Sequence, residues 1–217
     1  PVLVNDKNSR LYHIDFSFDE QHLGGSAFAQ SLGKVGSDVP TVKDADYFAD
    51  CFNAVQEMIK KGWIMAGHDI SAGGLITTLL EMCFANTEGG MRINLHDIQG
   101  DDMVKALMAE NPGVVVQISD KHKDEFKKLM EEAGVRTIVV KKGDYEHIFD
   151  IDALRDEWYK TSWLLDKKQS MNGCADERYH NYKNQPVEMH FNDHFAGTLQ
   201  SYGISADRRT PSGVKAA

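Results

Sequence analysis

The sequence predicts an α/β (α+β) fold, a mixed β-sheet layered with helices. Three observations carry that expectation. In "RLYHIDFSF" (Arg10 to Phe18) and "MRINL" (Met91 to Leu95) apolar residues fall at every second position, the period of a half-buried strand. From Asp44 to Lys61 they recur every three or four residues, the period of an amphipathic helix. The two kinds of segment alternate along the chain, an order that neither a helical bundle nor a β-sandwich produces.

In the first strand Tyr12, Ile14, Phe16 and Phe18 share one face, with His13, Asp15 and Ser17 on the other. The turn "LGGS" then leads to a short helix over Ala27 to Leu32. The helix from Asp44 to Lys61 lines up Tyr47, Phe48, Cys51, Phe52, Val55, Met58 and Ile59 as a core stripe, and Gly62 is placed to end it. "WIMA" (Trp63 to Ala66) reads as a buried strand, followed by a helix from about Gly73 to Asn86 whose Leu79, Met82 and Cys83 belong in the core. After a turn at Gly89-Gly90 and the strand "MRINL", a helix is expected near Asp102 to Glu110, then the apolar strand "VVVQI" (Val114 to Ile118). The helix from Lys121 to Ala133 interleaves lysines with Asp124 and Glu125, the pattern of a solvated face, and the strand "RTIVV" (Arg136 to Val140) follows it. A last helix, Asp152 to Lys168, presents Leu154, Trp158, Thr161 and Leu165 on one side.

On this reading residues 1–150 form one domain and 151–217 a helix with a linker tail, polar and weakly periodic beyond Ser170. The opening "PVLV" is already strand-like, and "DRRTPSGVKAA" runs from a Pro-Ser-Gly linker into what resembles the start of another strand. Both ends therefore look cut from a longer chain.

A chain of 217 residues buries about 70% of its unfolded surface and needs no staple to fold. Its 33 acidic and 24 basic residues give a net charge of -9, which argues against nucleic-acid or membrane partners, since phosphate surfaces reward clustered Lys and Arg. Three cysteines, Cys51, Cys83 and Cys174, form no CxxC pair; their odd number suggests neither a disulfide framework nor a zinc ribbon and fits a reducing, cytoplasmic setting. The longest apolar tract, Gly74 to Ala85, is broken by Thr77, Thr78 and Glu81 and is too short to span a bilayer.

The stretch "AGHDISAGGLITTLLEMCFA" (Ala66 to Ala85) holds the candidate site. If "WIMA" is a strand and the helix begins near Gly73, the residues between lie at the strand's carboxyl end, where α/β folds bind ligands. Without Cβ atoms at Gly73 and Gly74 a phosphate oxygen can approach the backbone, and the helix N-terminus contributes about 0.3–1 kcal/mol. Ser71 can donate its hydroxyl or cap the helix. Asp69 repels a bare phosphate, so its chemical role would be to hold a hard cation such as Mg²⁺ that bridges to one, with His68 orienting it or packing. A steric explanation stands beside this one, because Asp and Ser are ordinary N-caps and paired glycines serve close packing. Neither GxxxxGK[ST] nor GxGxxG is present. A second glycine turn, Gly24, Gly25 and Ser26, also follows a strand and precedes a helical run, and the two turns could line one cleft. His190 and His194 in "HFNDH" have ligand-like spacing but no HExxH or cysteine pair to specify zinc.

"LYHIDFSFDEQHLGGSAFAQSLG" followed by "AGHDISAGGLITTLLEMCFA" resembles the carboxyl-terminal domain shared by the aminoimidazole ribonucleotide synthetase superfamily. The likeness is nearest to the second such domain of the large, single-chain phosphoribosylformylglycinamidine synthases. It covers roughly Arg10 to Phe149, and "LRDEWYKTSWLLDKKQ" with "NGCADE" looks like the segment that follows in those enzymes. The resemblance implies a fragment, inactive alone, of an ATP-dependent ligase of purine biosynthesis. That ligase converts formylglycinamide ribonucleotide, glutamine and ATP to formylglycinamidine ribonucleotide, glutamate, ADP and phosphate. It also implies ATP or ADP with Mg²⁺ as cofactors, Asp69 as the metal-associated aspartate, Ser71 as the nucleotide-associated serine, and the ATP-binding and glutaminase domains of the same chain as partners. The pattern is broken at Ala72, where many relatives carry aspartate, so no metal or substrate role carries over to that position. The alternatives are a non-catalytic module for domain packing, or a related synthetase of the superfamily.

Overall fold

In a computed structural model of the chain, residues 1–86, 91, 102–132, 137–140, 150–184, 190–192 and 195–203 are described. Two compact units divide it, Pro1–Lys183 and Asn184–Ala217. Among its described residues the first holds four strands, β1 (Ser9–Asp15), β2 (Ile64–Asp69), β3 (Gly113–Ser119) and β4 (Thr137–Val140), in the order β2-β3-β1-β4. All three pairings are antiparallel: Tyr12 lies opposite Val116 and Val139, and His68 opposite Val115. The parallel pairing that a mixed sheet also needs is not among the described strands. The expected strand over 91–95 lies outside the described residues except for Met91.

Helices cover both faces of the sheet because both faces are apolar. On one face Tyr12, Ile14, Val116 and Ile118 pack against Cys51, Val55 and Met58 of α2 (Ala45–Lys60), joined by Leu129 of α5 (Lys123–Glu132). On the other, Leu11, Ala66 and Val115 meet Leu75, Leu79, Met82 and Cys83 of α3 (Gly74–Phe84) and Ala106 of α4 (Met103–Met108). Full burial of a side chain such as Met58 or Leu79 stabilises by about 1.5–3 kcal/mol, and these pairs fix the layer order α2, sheet, α3.

Caps account for where the helices begin. Asp44 accepts the N–H groups of Asp46 and Tyr47 at the start of α2, and Asp102 those of Val104 and Lys105 at the start of α4. A five-residue helix, α1 (Ala27–Ser31), is capped by Ser26. The stripe of α2 differs from the sequence reading at Phe52 and Ile59, which are 49% and 54% exposed. They lie at the edge of the stripe, and Ala54 takes the inward position between Cys51 and Met58. The first strand likewise stops at Asp15, because Phe18 turns into the left-handed region at φ 52° and is exposed.

Pro1 to Val4 is not a strand. Gln117, buried beside the apolar residues of β3, accepts the Val4 N–H at 2.9 Å and donates to the Val4 carbonyl at 2.8 Å, tying the segment down by its backbone. The connection from β1 to α2 is pinned by the buried Asp19 carboxylate, which pairs with Lys43 and accepts from the Thr41 hydroxyl at 3.0 Å. Chiefly through Lys43, this carboxyl is held well below the usual carboxylate range.

Residues 151–180 hold more regular structure than their hydropathy suggests. α6 (Ile151–Gln169) starts at the Asp150 cap, and α7 (Cys174–His180) follows where only a tail was expected. Trp163 stacks on Tyr179 at 4.4 Å, and Arg155, the buried residue of α6, lies 3.4 Å from the Tyr182 ring centroid while donating to the Tyr179 carbonyl. The expected face of Leu154, Trp158, Thr161 and Leu165 is not the one that packs on α7: Leu165 is exposed, and contacts run through Arg155, Tyr159 and Trp163. In the second unit, Phe191 stacks on Phe195 and a short turn of helix spans Leu199–Tyr202.

Candidate functional site

β2 runs three residues further than "WIMA", so His68 and Asp69 close the strand and Ile70 to Gly73 form the turn into α3. Asp69 points its carboxylate outward, with its side chain 73% exposed. Its backbone is held firmly: the Thr78 hydroxyl donates to the Asp69 carbonyl at 3.0 Å, and His68 Nδ1 lies 2.8 Å from the same oxygen. Ser71 and Ala72 are exposed beside it. The site thus offers a fixed main chain bearing one exposed carboxylate, whose Oδ1 lies 3.4 Å from His68 Nδ1, and one exposed hydroxyl.

The paired glycines have a steric cause. Gly73 and Gly74 both adopt left-handed backbone, φ 91° and 72°, a region costly to any residue with a Cβ. A Cβ on Gly74 would sit 2.7–2.8 Å from backbone atoms of Leu107, Met108 and Ala109, and one on Gly73 would strike the Thr77 hydroxyl at 2.2 Å. Gly24 is equally constrained, since its Cβ would lie 2.3 Å from the Asp38 carbonyl oxygen.

The two glycine turns do meet, through a residue the sequence reading passed over. Glu110 Oε1 accepts the Gly73 N–H and the Ala27 N–H, each at 2.7 Å. An internal carboxylate therefore holds the N–H that a phosphate would have used at Gly73, as the positive end of a helix favours. Ser26 is committed as well: it is buried, donates to the Leu23 carbonyl at 2.6 Å and caps Ala29. Gly25 serves this turn too, its N–H donating to the Val35 carbonyl at 2.6 Å. No local sequence signal marks Glu110, which reaches partners 37 and 83 residues away.

Around His68 polar contacts continue towards α6, ending on Trp158, which is 52% exposed. His68 Nε2 lies 3.3 Å from Glu81 Oε2, and Glu81 Oε1 accepts the Trp158 indole N–H at 2.8 Å. Among the described residues no three His, Cys, Asp or Glu side chains converge on a metal-sized space. Asp69 brings a single carboxylate to the turn. It does not suit a self-contained metal site. His194, half of the ligand-like histidine pair, lies outside the described residues. No described helix is long and apolar enough to cross a membrane.

The family model for "AIR synthase related protein, C-terminal domain" matches residues 13–143. A probable phosphoribosylformylglycinamidine synthase, chloroplastic/mitochondrial, of Arabidopsis thaliana is 35% identical over 180 residues, covering 76% of this chain. The chain spans only 12% of that protein's length. Among solved structures, PurLQS from Thermotoga maritima matches 67% of this chain and 23% of its own at 16% identity and a TM-score of 0.47. T. maritima PurL complexed with ADP matches 64% of this chain and 22% of its own at 16% identity and a TM-score of 0.46.

Proposed function

This chain belongs to the AIR synthase related proteins, whose C-terminal domain it carries, and from that premise we propose that it is part of a phosphoribosylformylglycinamidine synthase. The whole enzyme would convert formylglycinamide ribonucleotide, glutamine, ATP and water to formylglycinamidine ribonucleotide, glutamate, ADP and phosphate. The 35% identity to the Arabidopsis synthase carries this reading. Within it, the turn from Asp69 to Ser71 lends one carboxylate and one hydroxyl to a Mg-nucleotide site completed by another domain of the same polypeptide. The exposed Asp69 carboxylate on a doubly held carbonyl supports that assignment.

Each residue then has a separable task. Asp69 would hold Mg²⁺, which supplies charge neutralisation of the phosphates when bound. Ser71 would donate to a phosphate oxygen. Gly73 and Gly74 shape the entry to α3, and Gly24, Gly25 and Ser26 shape the neighbouring turn; none of the five needs to touch the ligand. A reducing cytoplasm suits the three free cysteines. A purified polypeptide carrying this chain, together with its ATP-binding and glutaminase domains, should consume ATP and glutamine stoichiometrically with formylglycinamide ribonucleotide. No ribonucleotide-dependent release of ADP would contradict the assignment.

One observation favours a second reading, a packing module whose ligand function has decayed: Glu110 fills the N–H group of Gly73 from within. On that reading Asp69→Ala leaves nucleotide content unchanged, whereas on the first it lowers it.

A further inference from the structure

Of the ten asparagines in the chain, Asn172 alone is followed by glycine. The pair sits in the joint between α6 and α7, where Ser170 closes the first helix and Gly173 opens the second. Met171, Asn172 and Gly173 are all exposed, Met171 to 82%. Gly173 takes the left-handed region at φ 90°, and a Cβ built on it would meet nothing within 4 Å. The space beside it is therefore open, and no side chain of its own screens its amide. The hydrogen bonds of the joint also pass that amide by. The Cys174 N–H donates to the Met171 carbonyl at 3.2 Å and the Glu177 N–H to the Gly173 carbonyl at 2.9 Å. Among the described residues nothing accepts the Gly173 N–H, and nothing holds the Asn172 carboxamide.

These features favour one reaction. An unbonded amide nitrogen directly after an asparagine can lose its proton and attack the side-chain Cγ. The N–Cγ bond forms, the Cγ–Nδ2 bond breaks, and ammonia leaves carrying the proton, so that residue 172 closes into a five-membered succinimide. Water then opens the ring. Addition at Cγ restores the original main chain with aspartate at 172. Addition at the backbone carbonyl carbon of 172 leaves isoaspartate, whose main chain runs through Cβ and Cγ. In sum one water is consumed and one ammonia released, with no change of oxidation state.

We propose that Asn172–Gly173 is a self-modification site, and that its isoaspartate product releases α7 from α6. The release follows from length. Isoaspartate adds one C–C bond, about 1.5 Å, to the main chain, within a joint of four residues, Ser170 to Gly173. Beyond the joint α7 is seated by contacts that tolerate little displacement. Trp163 stacks on Tyr179 with centroids 4.4 Å apart, Arg155 donates to the Tyr179 carbonyl at 3.0 Å, and Arg178 Nε donates to Asp166 Oδ2 at 3.0 Å. Aspartate at 172 adds charge without length and leaves these contacts in register.

The test uses the whole polypeptide that carries this chain, incubated in mild alkali beside a synthetic peptide of residues 169–178 that serves as the clock. Trypsin cuts after Lys168 and Arg178 and so releases the same peptide from the protein. On conversion its mass rises by the difference between an oxygen and an NH group, and a protein-isoaspartate methyltransferase labels the isoaspartate form. The folded protein is expected to convert at the peptide's rate to within about tenfold, and Asn172→Gln to lose the methyl label. Conversion slower than that, or a label that survives in Asn172→Gln, would overturn the site. For the helix, amides of 174–180 in the isoaspartate form should exchange with solvent at least tenfold faster than in unmodified protein, while Asn172→Asp exchanges as wild type does. Unchanged exchange in the isoaspartate form, or equal acceleration in Asn172→Asp, would overturn the release of α7.

Discussion

Glu110 ties two helix starts together with one carboxylate oxygen, so its removal orphans two backbone donors at once. Hydrogen bonds to charged groups contribute about 1.5–3 kcal/mol each, and Glu110→Ala is expected to cost about 2–4 kcal/mol in urea unfolding. Glu110→Gln keeps an acceptor and should cost less than half as much; equal losses would show that the carboxylate is not what holds the turns. Gly74→Ala should be among the most damaging small changes in the chain. It combines a left-handed φ of 72° with a Cβ 2.7 Å from the Met108 carbonyl carbon, and strain plus overpacking comes to about 2–5 kcal/mol. The buried thiols give a pH signature. Burial pushes Cys51 and Cys83 each up to about 11 from an ordinary 9.0. In the unfolded chain they ionise first, so the folded state binds more protons between those values, and stability should fall as pH rises from about 9 to about 11. Cys51→Ala/Cys83→Ala should flatten that fall in a pH series of thermal midpoints. Asp19 works in the opposite sense: its carboxyl is depressed, chiefly by Lys43, so its contribution is present above the ordinary carboxylate range and is lost on acidification.

At the scale of elements, α7 is held to α6 by ring stacking and by Arg155 rather than by an apolar stripe. Tyr179→Ala should therefore expose the amides of 174–180 to hydrogen exchange while those of β1 and β3 keep their protection. Matching protection loss in the sheet would mean that α7 is integral to the core. The same contrast explains what could be read from the sequence. α2, α3 and β3 were legible because their burial follows the periods of helix and strand, with Asp44 and Gly62 marking the ends of α2. α7 was not, since its anchors are a guanidinium, two tyrosines and a tryptophan, which hydropathy counts as neutral or polar. The candidate turn was legible in composition but not in cause. Two adjacent glycines announced a backbone requirement, while the backbone of α4 that imposes it at Gly74 is more than thirty residues away. Glu110, Glu81 and Trp158 were invisible for the same reason, since each acts on a partner distant in sequence.

For the whole molecule, the three-layer unit presents the Asp69–Ser71 turn on a rigid strand-to-helix joint and supplies too few ligands to complete a metal shell among its described residues. On the proposed reading the rest of the site comes from another part of a longer polypeptide; the chain spans 12% of the Arabidopsis relative's length. The two units, Pro1–Lys183 and Asn184–Ala217, are compact separately, so limited proteolysis should cut first near residue 184 and leave a core that unfolds cooperatively. The most direct test of the central claim is Mg²⁺-dependent ADP binding by the polypeptide that carries this chain, comparing wild type with Asp69→Ala and Ser71→Ala. The nucleotide reading predicts that Asp69→Ala loses at least tenfold in affinity and all dependence on Mg²⁺, and that Ser71→Ala loses less and keeps that dependence. Equal affinity and equal Mg²⁺ dependence in all three proteins would contradict it and leave the turn as a packing element.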